Sequence, residues 1–152
     1  MLYLLFHLGE ECYALEARQA VEVLPMVKIK EIPQSPPGVA GLINYHGNPM
    51  PVLDLSALAT GKPAAKKLST RIVVIAYERP DCGKQLLGLM AERATETIHL
   101  KDADFQPAGV QLAEAPYLGP VARHSRGLIQ RVEILKLIPA GIQNLLFAAA
   151  NG

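Results

Sequence analysis

The stretch GLINYHGNPMPVLDLSALATG, residues 41–61, decides the fold because it contains two short β-type runs around a tight polar turn. Aliphatic residues precede the turn and PVLDL follows it, which predicts a β-hairpin that leads into a short helix in SALA. Gly47 suits the turn, Pro51 begins the return strand, and Asp54 is placed to cap the helix. His46 is left at the tip of the hairpin, where it is available to a neighbouring molecule.

The composition favours one globular domain. Of the 152 residues, 50% are hydrophobic and 19% are charged, which argues against disorder. The net charge is +1 and the pI is about 7.8, so no strong field attracts nucleic acid or an anionic membrane. No apolar run approaches the roughly 20 residues of a membrane span, and the first residues lack the features of a signal peptide. We therefore expect a cytoplasmic protein that does not insert into the membrane.

Strand patterns dominate the chain. We expect strands at 2–8, 12–16, 20–32 (interrupted by Pro25), 71–77, 85–91 and 95–100, and a last hairpin from 117–125 and 127–135. Loops are expected at 33–38, 60–70 and 101–116, and short helices near 133–139 and at about 139–150. Closely spaced strands with little helix predict an all-β fold, either small barrels or a sandwich.

The two halves of the sequence resemble each other. LEARQAVEV (15–23) aligns without gaps on LMAERATET (89–97), at an offset of 74 residues. The opening hairpin also resembles GPVARHSRGLIQRVEI (119–134), which aligns Gly41 with Gly119 and His46 with His124. The pattern predicts two similar β-units, about 1–65 and 66–138, that share a core.

No catalytic or metal-binding motif is present. The histidines (His7, His46, His99, His124) lack zinc-type spacing, although they could converge in the fold with Cys12 and Cys82. The sequence contains no GxSxG elbow, Walker loop or GxGxxG. The cysteines have no CxxC spacing, so reduced thiols are expected, and a disulfide between them is the alternative. We expect no enzyme activity, no metal and no cofactor.

A nucleic-acid-binding module is the second hypothesis, because small β-barrels often bind single strands. Such binding uses basic grooves with exposed aromatic side chains. Aromatic residues are only 5% of this chain, tryptophan is absent, and the basic cluster KPAAKK (62–67) has no aromatic neighbour. A solvated linker is the favoured interpretation of these lysines.

Apolar surface offers a third hypothesis. Several apolar residues stand close together at Val23, Leu24, Met26 and Val27. In a strand that alternates between core and solvent, they cannot all face one core. The adjacent apolar residues Leu89 and Met90 raise the same question. Such strands are either buried on both faces or line a groove between the two units. A groove would accept an amphipathic helix, with methionine supplying an adaptable surface.

The chain resembles the CheW family of chemotaxis coupling proteins over almost its whole length. The resemblance is carried by YLLFHLGEECYALE, VEVL, PPGVAGLINYHGNPMPVLDL, GLMAERA and GLIQRVEIL. Its most specific part is the hairpin pattern at Gly41, Gly47, Pro51, Val52, Asp54 and Leu55. The resemblance implies two small five-stranded SH3-like or OB-like β-barrels packed side by side. It also implies a non-enzymatic adaptor between the cytoplasmic tip of a chemoreceptor and the regulatory domain of a CheA-type histidine kinase, in arrays at the membrane.

The resemblance also implies the partner-binding residues. They are Glu22, Val23, Leu24, Met26, Val27, His46, Gly47, Leu89, Met90 and Ala94, with Gly41, Pro51 and Asp54 as structural turn and cap residues. The family has arginine where this chain has His46, and imidazole cannot reproduce the planar five-donor fork of arginine. In the family, the acidic residue at the position of Glu22 and the arginine at the position of His46 are expected to pair across neighbouring strands. We therefore expect Glu22 to face His46 in this chain. The change to histidine indicates a divergent adaptor, for example in a surface-sensing pathway.

Overall fold

The computed structural model describes residues 1–79, 83–110, 115–125 and 127–143, and in these residues the chain forms ten strands and short helices. The strands are β1 (Leu2–Leu8), β2 (Glu11–Glu16), β3 (Ala20–Pro25), β4 (Val39–Tyr45), β5 (Asn48–Asp54), β6 (Arg71–Arg79), β7 (Gly83–His99), β8 (Phe105–Gln106), β9 (Leu118–His124) and β10 (Gly127–Val132). The α-helices are α1 (Leu55–Thr60) and α2 (Ile134–Leu137). Residues 140–143 are also helical, and the rest of the helix expected at 139–150 lies outside the described residues, as does Cys82.

The strands form two small barrels that share β7. In barrel B, β3 pairs with β6, β6 with β7, β7 with β5, and β5 with β4. In barrel A, β7 pairs with β1, and the order continues through β2, β10, β9 and β8. The N-terminal half of β7 belongs to barrel B and its C-terminal half to barrel A, where the sequence predicted two separate strands.

The predicted division of the chain at residue 65 is wrong, because both barrels contain strands from both halves of the sequence. Barrel A combines β1 and β2 with β8, β9 and β10, whereas barrel B combines β3, β4 and β5 with β6. The physical reason is that β2 pairs in parallel with β10, and β7 with β5. Strands β2 and β5, which lie in the first half of the sequence, thus each pair in parallel with a strand from the second half.

The internal repeat is nevertheless visible in the strand register. In barrel B, Glu22 lies opposite Val74, and in barrel A, Glu96 lies opposite Leu5. Glu22 and Glu96 therefore occupy equivalent positions, and they are 74 residues apart, as the sequence alignment predicted. The two later hairpins correspond at an offset of 79, since Tyr45 pairs with Asn48 as His124 pairs with Gly127 (124 − 45). The structural equivalent of His124 is therefore Tyr45, and the alignment of His46 with His124 was wrong by one residue.

Asp54 fixes the end of the β4–β5 hairpin. Its Oδ1 accepts a hydrogen bond from the Ala57 backbone N–H at 3.1 Å, which caps α1 as the sequence predicted. Its Oδ2 accepts a second bond from the Ala64 N–H at 2.9 Å, which anchors the loop that follows the helix. One carboxylate thus holds both the helix and the loop against barrel B.

Gly41 and Gly47 offer a direct test of the hairpin. Gly41 has φ +145°, and a Cβ there would collide with the carbonyl oxygen of Lys30, whereas Gly47 has φ +87° in open space. We expect Gly41→Ala to lower the free energy of unfolding by about 3 kcal/mol or more, because backbone must move. Gly47→Ala, the matched control, should cost only about 1–2 kcal/mol of local strain. Urea unfolding measures both, and equal losses would contradict this account.

Candidate functional site

The tip of the β4–β5 hairpin is a two-residue turn. His46 and Gly47 have φ of +50° and +87°, which is the geometry of a type I′ turn. The Gly47 N–H donates to Oδ1 of Asn44 at 2.9 Å and fixes the turn. The His46 side chain is 74% exposed and projects from the barrel.

Glu22 of β3 meets this tip through two side chains. The Tyr45 hydroxyl donates to Oε2 of Glu22 at 2.5 Å, while Nε2 of His46 lies 3.8 Å from the same oxygen. The rings of Tyr45 and His46 pack edge to face with centroids 4.3 Å apart. The structure thus brings Glu22 and His46 together as expected, but the shorter contact belongs to Tyr45.

The sequence analysis missed Tyr45. Its position directly before the turn was visible, but nothing local showed that β3 would place a carboxylate within reach of its hydroxyl. The hydrogen bond to Glu22 raises the pKa of Tyr45 above its ordinary value of 10, because ionisation would put a phenolate beside a carboxylate.

The other predicted contact residues fall into two groups. Val23 and Val27 are 41% and 43% exposed, and Val21 beside them is 55% exposed. Leu24 and Met26 are half-buried against the core of barrel B. These residues leave an apolar strip along β3, an edge strand, and the segment that follows it.

Leu89, Met90 and Ala94 were predicted as partner-binding residues, but they are buried and offer no contact surface. Their exposed fractions are 0%, 2% and 2%. Leu89 and Ala94 belong to the large core cluster, and Met90 to the core of barrel B. The physical reason is that β7 is an interior strand with core on both faces, which was the alternative interpretation of these residues.

An apolar cleft of about 950 Å³ lies beside the hairpin tip. We call it the proline cleft, since its walls include Pro33, Pro36, Pro49 and Pro51 together with Tyr45 and Leu86. Proline fixes the backbone, so these walls are rigid. Lys84 and His46 line the cleft, and no carboxylate does so among its described residues. It is therefore suited to an apolar segment and not to a cation.

The equivalent end of barrel A carries a different pocket, of about 410 Å³. His7, Cys12 and His124 line this barrel A pocket together with Glu10, Glu11 and Glu96, so part of the convergence considered for the histidines and cysteines is present. Within residues 1–79, 83–110, 115–125 and 127–143, however, no three His, Cys, Asp or Glu side chains are grouped as a metal site requires. His99 is exposed on β7, away from this pocket.

Comparisons with known proteins agree with this architecture. A family model described as CheW-like domain matches residues 2–140. A chemotaxis protein CheW from Helicobacter pylori is 27% identical over 109 residues, which cover 72% of this chain and 63% of the relative. Another from Klebsiella aerogenes is 24% identical over 139 residues, or 90% of this chain and 80% of the relative.

A solved structure is also similar. The scaffolding protein TtCheW from Thermoanaerobacter tengcongensis matches with a TM-score of 0.76 and 26% identity, over 91% of this chain and 88% of that one. The chain spans about 63% of the length of the relatives from Helicobacter pylori and Rhizobium meliloti. In the described part of the chain, no helix has the length and apolar character needed to cross a membrane.

The contact between Glu22 and Tyr45 predicts a titration effect. In Glu22→Gln we expect the pKa of Tyr45 to fall toward 10, because the charge that opposes ionisation is gone. Since the folded-state pKa is the raised one, the stabilisation is fully present below about pH 10 and is lost as pH rises through the raised value. NMR titration of the tyrosine ring carbons measures the midpoint.

Tyr117 is the internal control, because burial raises its pKa. Its midpoint should be the same in wild type and Glu22→Gln. Identical Tyr45 midpoints in the two proteins would show that the hydrogen bond does not persist in solution.

Proposed function

The chain belongs to the CheW-like domain family, and we propose that it is a non-enzymatic adaptor that joins chemoreceptors to a CheA-type histidine kinase. The resemblance supplies the partners: the cytoplasmic tip of the receptor and the regulatory domain of the kinase. We propose accordingly that it acts in the cytoplasm, associated with receptor arrays through those partners. The four curated and solved relatives named above are chemotaxis or scaffolding proteins by their own descriptions.

One observation carries the proposal: barrel B exposes both the apolar strip and the proline cleft, and a hydrogen bond links the strand that carries the strip to the hairpin that lines the cleft. Tyr45 makes the connection, because its hydroxyl is bonded to Glu22 between Val21 and Val23 while its ring lines the cleft. We call this the hairpin surface. Exposed apolar side chains beside rigid proline walls lose little freedom on binding, which favours a protein partner.

The edge position of β3 supports docking by another barrel. Strand β3 pairs with β6 on one side, and no other described strand pairs with residues 20–25 of β3. A free strand edge with exposed valines can extend into a neighbouring sheet. A kinase regulatory domain of the same fold would offer such a sheet, and the proline cleft would remain for an amphipathic helix of the receptor.

Nothing favours the nucleic-acid alternative. Tyr3 and Phe6 are buried at 0% and 1% exposure, and the exposed lysines 62, 66 and 67 lie on a loop without aromatic neighbours in sequence. The stacking platforms that single-stranded nucleic acid needs are absent from that loop.

Substitution of Val23 tests the hairpin surface. Val23→Asp should leave the fold intact, because the side chain is 41% exposed, but should weaken partner binding at least tenfold. A carboxylate excluded from water in an apolar interface costs several kcal/mol, which corresponds to about tenfold per 1.4 kcal/mol. Dissociation constants for a receptor cytoplasmic fragment and for the kinase, measured separately, show which partner uses the strip.

Two further variants make the result decisive. Leu135→Asp, at a leucine that is 47% exposed on α2, should bind both partners normally. Met90→Asp should unfold the protein, because it places a carboxylate in the core of barrel B. Normal binding of both partners by Val23→Asp would remove the strip from the proposal, and no binding by the wild type would remove the proposal itself.

A further inference from the structure

The carboxylate of Glu22 stands at the rim of the proline cleft. Two residues that line the cleft both reach it: the Tyr45 hydroxyl donates to Oε2 of Glu22 at 2.5 Å, and Nε2 of His46 lies 3.8 Å from the same oxygen. Glu22 itself does not line the cleft. Its charge therefore lies beside the apolar cavity and not inside it.

This carboxylate is held in place, but its charge is not neutralised. The hydrogen bond from Tyr45 fixes its direction and raises the pKa of Tyr45, so the hydroxyl keeps its proton at neutral pH and carries no charge. Among the residues that the structure describes, no Lys or Arg forms an ion pair with Glu22, and this includes Lys84 in the wall of the cleft. The side chain of Glu22 remains 43% exposed.

The chemistry of the carboxylate defines the group that it binds. The contacts with Tyr45 and His46 are both made by Oε2, so Oε1 is directed to a second molecule. An ionised carboxylate only accepts hydrogen bonds, and the donors that bind it most strongly are the charged groups of lysine and arginine. Because the carboxylate is already fixed by Tyr45, it loses little freedom when such a donor arrives.

The cleft beside the carboxylate gives this charge a specific meaning. An exposed carboxylate alone is ordinary on a protein surface. Here, however, Tyr45 both bonds Glu22 and lines an apolar cleft of about 950 Å³. An amphipathic helix that places its apolar face in a cleft has polar residues along the border of that face. One of these border residues comes to lie at the rim, beside Glu22.

We propose that the helix bound in the proline cleft carries a lysine or arginine at the border of its apolar face, and that this residue binds the carboxylate of Glu22. Tyr45 is a positioning residue for this contact, because it holds the carboxylate at the rim without neutralising it. The inference rests on the proposed assignment of the cleft to a receptor helix. It adds a charge that orients the helix, since only one register places the basic residue next to Glu22.

Glu22→Gln tests the contact, because glutamine keeps the length of the side chain and an oxygen acceptor for Tyr45 but has no charge. We expect the dissociation constant for a receptor cytoplasmic fragment to rise about tenfold at low salt, and to depend less on salt than in the wild type. Glu133→Gln is the matched control, at a carboxylate on the other barrel that has its own partner in Lys136. It should bind the fragment as the wild type does.

Alanine substitutions of the basic residues in the receptor fragment, made one at a time, identify the partner of Glu22. One of them should weaken binding to the wild type but not weaken binding to Glu22→Gln any further, because the contact is already lost. Tyr45→Phe keeps the ring in the cleft and removes the hydroxyl. It should therefore reduce the coupling between Glu22 and that basic residue while retaining most of the binding at high salt.

The same titrations separate this inference from the adaptor proposal. Unchanged receptor binding by Glu22→Gln, or the absence of any basic residue coupled to Glu22, would overturn the inference and leave the adaptor proposal standing. A loss confined to the kinase regulatory domain, measured in parallel, would also overturn it, because Glu22 would then belong to another interface. A wild type that binds neither the receptor fragment nor the kinase would overturn both.

Discussion

Strand β7 is the element on which the rest of the structure depends. Its 17 residues pair with β6 and β5 in barrel B and with β1 in barrel A. The change from one barrel to the other occurs at Arg93, which has φ +51°, and the register with β1 shifts between Leu5 and His7. A bulge of this kind bends a strand and turns its side chains toward a new partner, so one strand can serve two sheets. Loss of β7 would separate both barrels and expose the core between them.

The central position of β7 decides which apolar residues are available for binding. Leu89 and Met90 have neighbours on both faces and are buried, each stabilising the fold by about 1.5–3 kcal/mol. Strand β3, on the far side of β6, pairs with no second strand among the described residues, and Val21 and Val23 are exposed there. Similar apolar runs in β3 and β7 therefore differ in burial, and the order of the strands in the sheet distinguishes them.

The features that the sequence predicted are those set by local geometry. The turn at Gly47 and the cap at Asp54 depend on neighbouring backbone, and both agree with the structure. Gly41, predicted as a turn residue, and Pro51, predicted to begin the return strand, lie instead within β4 and β5, because the strands extend further toward and beyond them than the sequence indicated. The barrels were predicted through the family resemblance, but their strand membership was not, because β2 with β10 and β5 with β7 pair across more than 30 residues. The contact of Tyr45 with Glu22 was missed for the same reason. Burial of Met90 was left open because a run of apolar residues does not reveal how many neighbours its strand has.

The internal repeat gives the chain two equivalent surfaces, and their chemistry has diverged. Glu22 and Tyr45 in barrel B correspond in register to Glu96 and His124 in barrel A. Prolines and valines surround Glu22 and Tyr45 in barrel B. Glu96 and His124 in barrel A instead line a pocket together with Cys12, His7 and further carboxylates. Specificity is a difference in affinity between partners, and apolar and charged surfaces rank partners differently. The two equivalent ends of this chain therefore differ in the partners they favour, although they arose from the same strand pattern.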